Sequence, residues 1–336
     1  MTAPMRHSFT ALRRGVSVAC GAIFCLASIL SSAAQASEPY PSKTVRVVIP
    51  YSAGGAPDVL FRLVGRELSE KWGHQVVIEN KPGGNTIIGA SDVIRSTPDG
   101  HTLLFTADQT FLLNPIYYKT LAYDVADLAP ISLIATAPHI FAVPKSLPVN
   151  SIPDYVAWAK KNPEKASYGA TGSMSLQKLA MEMFAKLSGV KLISVPYRGA
   201  AETTTDLVSG QISSTINGVA VLLPHIQSGA LKALAITADA RSPILPELPT
   251  VKELGMPNFK SQGIFGLFGP SKMPADVRKK IQADIKEAIN KPGVKDFLEK
   301  QGFVLRGDDG EEFQKVIASE IKTWRATMSD LGFEQQ

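Results

Sequence analysis

Residues 43–72, KTVRVVIPYSAGGAPDVLFRLVGRELSEKW, contain the pattern on which the fold prediction rests. Lys43–Pro50 is rich in β-branched residues and is followed by a pair of glycines, which predicts a strand and a turn. Pro57–Trp72 begins with a proline suited to a first helical turn and carries leucine and valine at three- and four-residue spacing, which predicts a helix. The stretch is therefore a strand, a glycine-rich turn and a helix, the repeating unit of an α/β domain.

The same alternation continues along the chain and is interrupted by a long apolar run, Ile131–Val143. That run is too long for one ordinary strand, and we interpret it as a crossing between two domains. A second strand-like stretch, Ser261–Phe268, predicts the return crossing, and amphipathic helices close the chain. Two crossings make a hinge. We therefore predict lobe 1 from residues 37–138 and 266–336, and lobe 2 from residues 139–265.

The remaining strand and helix predictions follow from the same patterns. Strands are predicted at 75–79, 101–105, 166–169, 192–195, 211–217 and 232–237. Helices are predicted at 88–95, 153–161, 175–188, 200–209 and 219–228. Residues 243–257 hold four prolines and are expected to be irregular.

The N-terminus has the composition of a secretory signal peptide. Three arginines and no acidic residue precede an apolar stretch, Val16–Leu30, and then Ala34-Gln35-Ala36. The apolar stretch is shorter than the ~20 residues that a membrane-spanning helix needs. We predict that residues 1–36 are a signal peptide and that the product works in the periplasm.

Removal of this leader changes the chemistry available to the chain. Both cysteines, Cys20 and Cys25, lie within it, so the mature protein has no disulfide and no thiol nucleophile. The leader also holds three of the 35 basic residues, so the net charge falls from +5 to +2. With no basic run interleaved with aromatic residues, nucleic acid is not an expected partner. The sequence also lacks the common nucleotide-binding, metalloprotease and hydrolase motifs, and no cofactor or metal is predicted.

Two glycine-rich turns join predicted strands to predicted helices. One is Tyr51–Asp58 in the first lobe, and the other is Gly169–Ser175 in the second. Glycine allows a ligand to approach the backbone, and the free N–H groups at a helix start favour an anion. A third strand end, Val195–Ala200, adds the Tyr197 ring and the forked Arg198 cation, which suits a carboxylate. Each of these features also has an interpretation without a ligand. The turns fit ordinary strand-to-helix connections, Arg198 fits a solvated surface charge, and Asp58 fits a residue that complements the helix dipole.

The turns and several other motifs resemble the Bug family of periplasmic solute receptors, the binding components of tripartite tricarboxylate transporters. The resemblance extends along essentially the whole mature chain. The motifs that carry it are Tyr40–Lys43, Pro50–Gly55 with Asp58, Glu79–Gly83, Pro98–Leu104, Asn114-Pro115, Val195–Gly199, Leu223–Ile226 and Leu248–Val251.

This resemblance implies a two-lobed periplasmic binding protein of type II, a Venus flytrap, with a mainly parallel sheet in each lobe. It also implies that the first-lobe and second-lobe turns grip a ligand carboxylate, partly through ordered water. The predicted ligand-binding residues are Tyr51, Ala53, Gly54, Gly55, Asp58, Thr106, Thr171, Gly172, Ser173, Met174, Ser175, Tyr197, Arg198, Asn217 and Phe265.

The chain departs from the family pattern at Met174 and Lys178, and at Ile264 before Phe265. These changes leave the backbone grip intact but alter the surroundings of the ligand. We therefore expect an aromatic or partly apolar mono- or dicarboxylate. The expected partners are this ligand and the membrane permease, and the receptor is expected to be a monomer.

Two alternative functions fit the same sequence. An exported hydrolase or lyase would use Ser173 or Ser175 as its nucleophile and would need a base within hydrogen-bond reach. A ligand sensor would dock its closed form on a signalling protein. The sequence does not distinguish docking on a permease from docking on a sensor.

Overall fold

The computed structural model describes residues 39–172, 174–238, 240–257, 259 and 261–336, so the predicted signal peptide lies outside the described residues. The strands in this part of the chain are β1 (Val45–Ile49), β2 (Val76–Asn80), β3 (Thr102–Ala107), β4 (Leu128–Pro144), β5 (Ser167–Thr171), β6 (Ile193–Tyr197), β7 (Ser214–Gly218), β8 (Leu231–Ile236), β9 (Gln262–Pro270) and β10 (Val304–Asp309). The helices are α1 (Ala56–Trp72), α2 (Ile87–Ile94), α3 (Asn114–Tyr117), α4 (Ile152–Lys161), α5 (Leu176–Ser188), α6 (Ala200–Ser209), α7 (Val219–Gln227), α8 (Ala275–Asn290), α9 (Pro292–Lys300) and α10 (Gly310–Asp330). A π-helical turn, Gln109–Leu113, leads into α3, and a short 3-10 turn, Val125–Asp127, leads into β4.

The strands form two mixed sheets that share β4. The order is β2-β1-β3-β9-β4-β10 in the first sheet and β8-β4-β7-β5-β6 in the second. β1 runs parallel to β2 and β3, and β5 runs parallel to β6 and β7, as predicted for βα units. The crossing strands β4 and β9 instead pair antiparallel with their neighbours. The α/β two-lobed fold is therefore confirmed, but neither sheet is mainly parallel.

The run interpreted as a crossing is a single strand, β4, of 17 residues. Its first part pairs with β9 as far as Pro138, and its second part pairs with β7 from His139 onward. Proline has no N–H to donate to a ladder, so it suits the position at which the strand changes partner. The length that seemed excessive for one strand reflects membership in two sheets.

Each sheet has an aromatic core of its own. Phe111, Phe268 and Phe313 pack together on the first sheet, with ring centroids 5.1–5.4 Å apart. Phe141 and Phe184 pack 4.9 Å apart on the second sheet. Burying one such side chain stabilises the fold by about 1.5–3 kcal/mol, so each sheet carries enough apolar packing to hold its helices.

We name the parts of the chain by these sheets. The first lobe comprises β1–β3, β9 and β10 with α1–α3 and α8–α10, and the second lobe comprises β5–β8 with α4–α7. The division at residues 138/139 and 265/266 stays a prediction. None of the helices in the described part of the chain is both long and apolar enough to span a bilayer.

Candidate functional site

Turns from the two lobes meet at the carboxyl ends of the parallel strands. A Cβ atom added at Gly172, after β5, would lie 2.6 Å from Asn85 Oδ1, in the turn after β2. A Cβ added at Gly199, after β6, would lie 3.9 Å from Ser52 Oγ, in the turn after β1. Ligands of open α/β sheets bind outside the carboxyl ends of the strands. The predicted first-lobe and second-lobe turns therefore face each other across one cleft.

Asp58 shapes the first-lobe turn from within. Its Oδ2 accepts hydrogen bonds from Gly54 N at 3.0 Å and from Arg62 Nε at 2.8 Å, and its Oδ1 accepts one from Asn80 Nδ2 at 2.9 Å. Burial acts to raise the pKa of this carboxyl, but the hydrogen bonds from Arg62, Gly54 and Asn80 outweigh it and hold the pKa below its usual range. The carboxylate is therefore occupied by groups of its own lobe, as a brace for the turn.

Three helices that follow parallel strands begin at glycines. Gly55, Gly199 and Gly218 precede α1, α6 and α7 in extended conformations, and none of the three helices has a side-chain cap. The first N–H groups of a helix have no partner within the helix and carry the positive end of its dipole. Because no side chain occupies these N–H groups, they are available to an anion in the cleft.

The floor of the first-lobe half is a buried polar network behind Thr106. Thr106 Oγ1 lies 2.5 Å from Thr110 Oγ1, which in turn bonds Thr86 Oγ1 at 2.9 Å. The Tyr51 hydroxyl is buried beside Thr106 and the backbone of Ala107, and burial raises its pKa. No hydrogen bond of good geometry joins this hydroxyl to any residue in the described part of the chain. Tyr51 is partly exposed as a residue, but its hydroxyl is buried and is not presented to solvent.

Asp108 is a buried carboxyl at the end of β3 that the sequence patterns did not single out. Its Oδ2 accepts a hydrogen bond from Ile264 N on β9 at 3.2 Å. Burial raises the pKa of Asp108 to about 7, against the opposing effect of the Ile264 N–H. The residue therefore ties the crossing strand β9 to the floor of the cleft.

The second-lobe turn is held by its own backbone and by a helix cap. Thr171 ends β5, and Gly172 N donates to Tyr197 O at 2.8 Å, with Gly172 in the left-handed region at φ 70°. Ser175 caps α5 by accepting a hydrogen bond from Lys178 N at 3.3 Å. Ser173 lies outside the described residues.

The other predicted site residues differ in how free they are to meet a ligand. Ala53 is exposed in the first-lobe turn, and Arg198 is exposed with no ion pair to any described residue. The Tyr197 hydroxyl donates to Asp206 Oδ2 at 2.7 Å, and burial with this carboxylate raises its pKa to about 12. Asn217 Oδ1 accepts from Gly218 N at 2.8 Å at the end of β7.

The two large apolar side chains of the predicted site, Met174 and Phe265, are both buried. Phe265 packs edge-on against Phe303, with ring centroids 5.6 Å apart. Met174 lies in an apolar cluster with Leu113 and Trp324, between α3 of the first lobe and α10. A role of all fifteen residues in ligand binding stays a prediction.

Ser175, one of the two candidate nucleophiles, lies at the start of α5. The Ser175 hydroxyl is used as a helix cap, and no histidine among the described residues hydrogen-bonds to it. The buried His139 Nδ1 instead lies 2.7 Å from Ser261 Oγ, where the crossing strands meet. Within the same part of the chain, no group of three or more His, Cys, Asp or Glu side chains is arranged to hold a metal ion.

Comparison with known proteins gives a consistent result. The model of the "Tripartite tricarboxylate transporter family receptor" matches residues 60–333. A UPF0065 protein of Pseudomonas sp. (strain P51) is 32% identical over 297 residues, which cover 88% of each chain. The solved structure "R. palustris Rpa4515 with adipate" is 30% identical, has a TM-score of 0.85, and matches 88% of this chain and 100% of its own. The periplasmic binding protein BugD is 28% identical, with a TM-score of 0.83 over 88% of this chain and 100% of its own.

The matching family is a family of receptors, BugD is a periplasmic binding protein, and the likeness to both solved structures extends over most of both chains. The family match and the relatives show that the chain belongs to the tripartite tricarboxylate transporter family of receptors, as the sequence motifs predicted.

Proposed function

We propose that this receptor captures a small organic carboxylate between its two lobes and delivers it to the membrane permease of a tripartite tricarboxylate-type transporter. The observation that carries the proposal is the meeting of uncapped helix starts from both lobes at one cleft, with Ser52 opposite Gly199 and Asn85 opposite Gly172. Backbone N–H groups at such helix starts bind a carboxylate without a dedicated cationic pocket. The exposed Arg198 guanidinium, next to Gly199, forms no ion pair with any described residue and supplies a fork for the same or a second carboxylate.

The proposed ligand class is a mono- or dicarboxylate with an apolar or aromatic body. Rpa4515, which is 30% identical, was solved with adipate, a dicarboxylate of this kind. Phe265 on the crossing strand adds an apolar surface next to the buried Asp108–Ile264 contact. A densely charged acid such as citrate has little apolar surface to bury against these residues.

The proposed place of action is the periplasm. The family and its solved members are receptors of that compartment, which supports export through residues 1–36. N-terminal sequencing of the protein from the periplasmic fraction should find a mature start next to residue 37. A product that retains the leader would contradict this part of the proposal, and light scattering should find the secreted receptor as a monomer.

A thermal-shift screen of organic acids, followed by calorimetry with adipate, benzoate, malate and citrate, tests the ligand. We expect a binder of micromolar affinity, about 8 kcal/mol, from the apolar acids, recovered unchanged after binding. Tight citrate binding with no response to adipate or benzoate would contradict the proposed class. Turnover of the bound acid would favour the hydrolase or lyase interpretation.

The Arg198→Gln substitution tests the contribution of the exposed guanidinium. A charge-assisted hydrogen bond contributes about 1.5–3 kcal/mol, so the affinity should fall by roughly 10- to 150-fold with no loss of stability. Arg95→Gln, at an exposed arginine at the end of α2, is the matched control. Equal affinities of the two variants would remove Arg198 from the site.

A further inference from the structure

Helix α10 begins on the first lobe and ends on the second. Its first turns place Phe313 and Ile317 in the first-lobe core. At its last turn, Asp330 Oδ2 forms an ion pair of 2.8 Å with Lys186 Nζ of α5, and the same ammonium donates to Asp330 O at 2.7 Å. A helix of 21 residues is about 31 Å long. It therefore reaches from one lobe to the other as a rigid element.

Residues 331–336, which follow α10, return from the second lobe to the first. Gln336 N donates to Tyr117 O at 2.9 Å, and Lys119 N donates to Gln336 O at 2.6 Å, so the segment pairs with the end of α3 in the first lobe. The Phe333 ring lies 5.7 Å below Lys178 Nζ of α5 in the second lobe. The segment thus contacts both lobes within four residues, Phe333 to Gln336.

An apolar cluster lies beneath these polar contacts. Leu113, Ile116 and Tyr117 of the first lobe, Met174, Leu176 and Leu179 of the second, and Trp324 and Met328 of α10 are its buried members. Met174 and Lys178, at which the chain departs from the family pattern, are thereby both directed to the C-terminal segment. Contacts to α5 are broken if the lobes separate, whereas contacts within the first lobe persist.

We propose that residues 324–336, which we name the C-terminal latch, hold the second lobe in the closed position and so set the fraction of receptor that is closed before ligand binds. The proposal rests on the proposed function, because it assumes that the lobes open and close around the ligand. The apparent dissociation constant of a closed-form ligand rises in proportion as the closed fraction falls. A weaker latch therefore lowers ligand affinity without any change in the cleft.

A charge-swap cycle across the lobes tests the latch. Lys186→Glu and Asp330→Lys each replace an attraction by a repulsion between exposed groups, and the double variant restores the attraction with reversed sign. Exposed ion pairs are weak, so each single variant should lower the closed fraction and the affinity by about two- to tenfold at low salt. The double variant should return to within about twofold of wild type. Lys315→Glu, which alters an ion pair inside α10, is the matched control.

The closed fraction is measured without ligand. Spin labels at Glu70→Cys on α1 and Lys161→Cys on α4, both exposed, report the distance between the lobes in the exported protein, which has no cysteine of its own if it is cleaved as predicted. The proposal requires a longer distance in each single variant and in Phe333→Ala, and recovery in the double variant.

Identical distance distributions in wild type, Lys186→Glu and Phe333→Ala would overturn the latch, even if the ligand closes all three. Equal shifts in Lys186→Glu and the Lys315→Glu control would do the same, because the effect would then not depend on the contact between lobes. If no carboxylate binds the wild type, the proposed function fails, but the ligand-free distances still decide the latch.

Discussion

Substitution of Asp58 by alanine should loosen the first-lobe turn and weaken ligand binding, because Asp58 holds the turn through a hydrogen bond from Gly54 N. The side chain is buried, and it joins Gly54 N, Arg62 Nε and Asn80 Nδ2 on a single carboxylate. Alanine removes the acceptor from all three donors. Gly54 lies in the exposed part of the turn and can bond water instead, whereas Asn80 is partly buried. The turn between β1 and α1 then loses the contact that fixes its glycines.

The size of the effect follows from these three partners. An unsatisfied buried donor costs about 1–3 kcal/mol, and among the donors that lose their acceptor only the Asn80 amide and the exposed Gly54 N–H are uncharged; of these two, only Asn80 is partly buried. Arg62 is half-exposed and regains water when released, so it adds little. We therefore expect Asp58→Ala to lower the free energy of unfolding by about 1–3 kcal/mol. Asp58→Asn, which keeps one acceptor oxygen, should cost about half as much.

The assay combines urea unfolding with calorimetric titration of the best acid from the screen. Asp58→Ala should also reduce affinity by about tenfold, a binding loss of about 1.4 kcal/mol. Asp92→Asn is the control, because that carboxylate pairs with Arg46 at 2.8 Å on a more exposed surface. A stability within 0.5 kcal/mol of wild type, about the size of an ordinary surface change, would refute the bracing role.

The pH dependence gives a second readout for the same substitution. Since the pKa of Asp58 lies below its ordinary 3.8 in the folded protein, the stability it contributes is complete above that value and is lost as the pH falls through the lowered pKa. Wild type should therefore lose more stability than Asp58→Ala when the pH falls below about 4. Parallel acid-unfolding curves would contradict this assignment.

Three further substitutions test other parts of the site. Gly199→Val should lower affinity about tenfold or more without loss of stability. The extended backbone of Gly199 accepts a branched side chain, but that side chain would project into the cleft toward Ser52. Gly293→Val, at a glycine that faces open space, is the control and should bind normally in the same titration. Asp108→Asn should become more stable relative to wild type as the pH rises from 4 to 8. In wild type the buried carboxyl has a pKa raised to about 7, so it stabilises the fold at low pH. Wild type loses that contribution as the pH rises, at up to about 1.4 kcal/mol per pH unit, and the asparagine variant does not. His139→Gln should lose less stability than wild type as the pH falls from 6.5 to 4, because burial lowers the pKa of His139 to about 4 and the unfolded chain takes up the proton first. Denaturant titrations at several pH values check both, and unchanged pH slopes would contradict them.

Periodic elements could be predicted from the sequence, and elements without a period could not. The helix predicted at Pro57–Trp72 is Ala56–Trp72 in the structure, because its apolar stripe and its proline fix both face and start. β10, with the sequence VLRGDD, was missed, since the chain end was interpreted as helical throughout. This strand lies at a sheet edge, is largely exposed and contains a register shift, so it shows neither alternation nor an apolar run.

In the site, too, features with a local sequence signal could be predicted and features that depend on long-range contacts could not. The glycine-rich turns were visible because glycine marks a strand-to-helix turn whatever its partner is. The contact of Asn85 with Gly172 was not, because it joins residues 87 positions apart that come together only when both sheets have formed. Asp108 was also missed: a single acid in the stretch FTADQTF has no spacing that distinguishes a buried carboxyl from a turn residue.

The division of the site between two lobes links binding to closure. Two charge-assisted hydrogen bonds from the helix starts of one lobe supply about 3–6 kcal/mol, which is comparable with or less than the cost of association, at least about 4 kcal/mol. One lobe therefore holds a carboxylate weakly. Four or more bonds, with both lobes engaged, supply enough to reach micromolar binding after that cost. If the second pair of bonds forms only in the closed receptor, the ligand binds that form more tightly, and we expect this difference in affinity to draw the lobes together about β4 and β9. A variant that binds the ligand tightly but does not close would contradict the dependence of tight binding on closure.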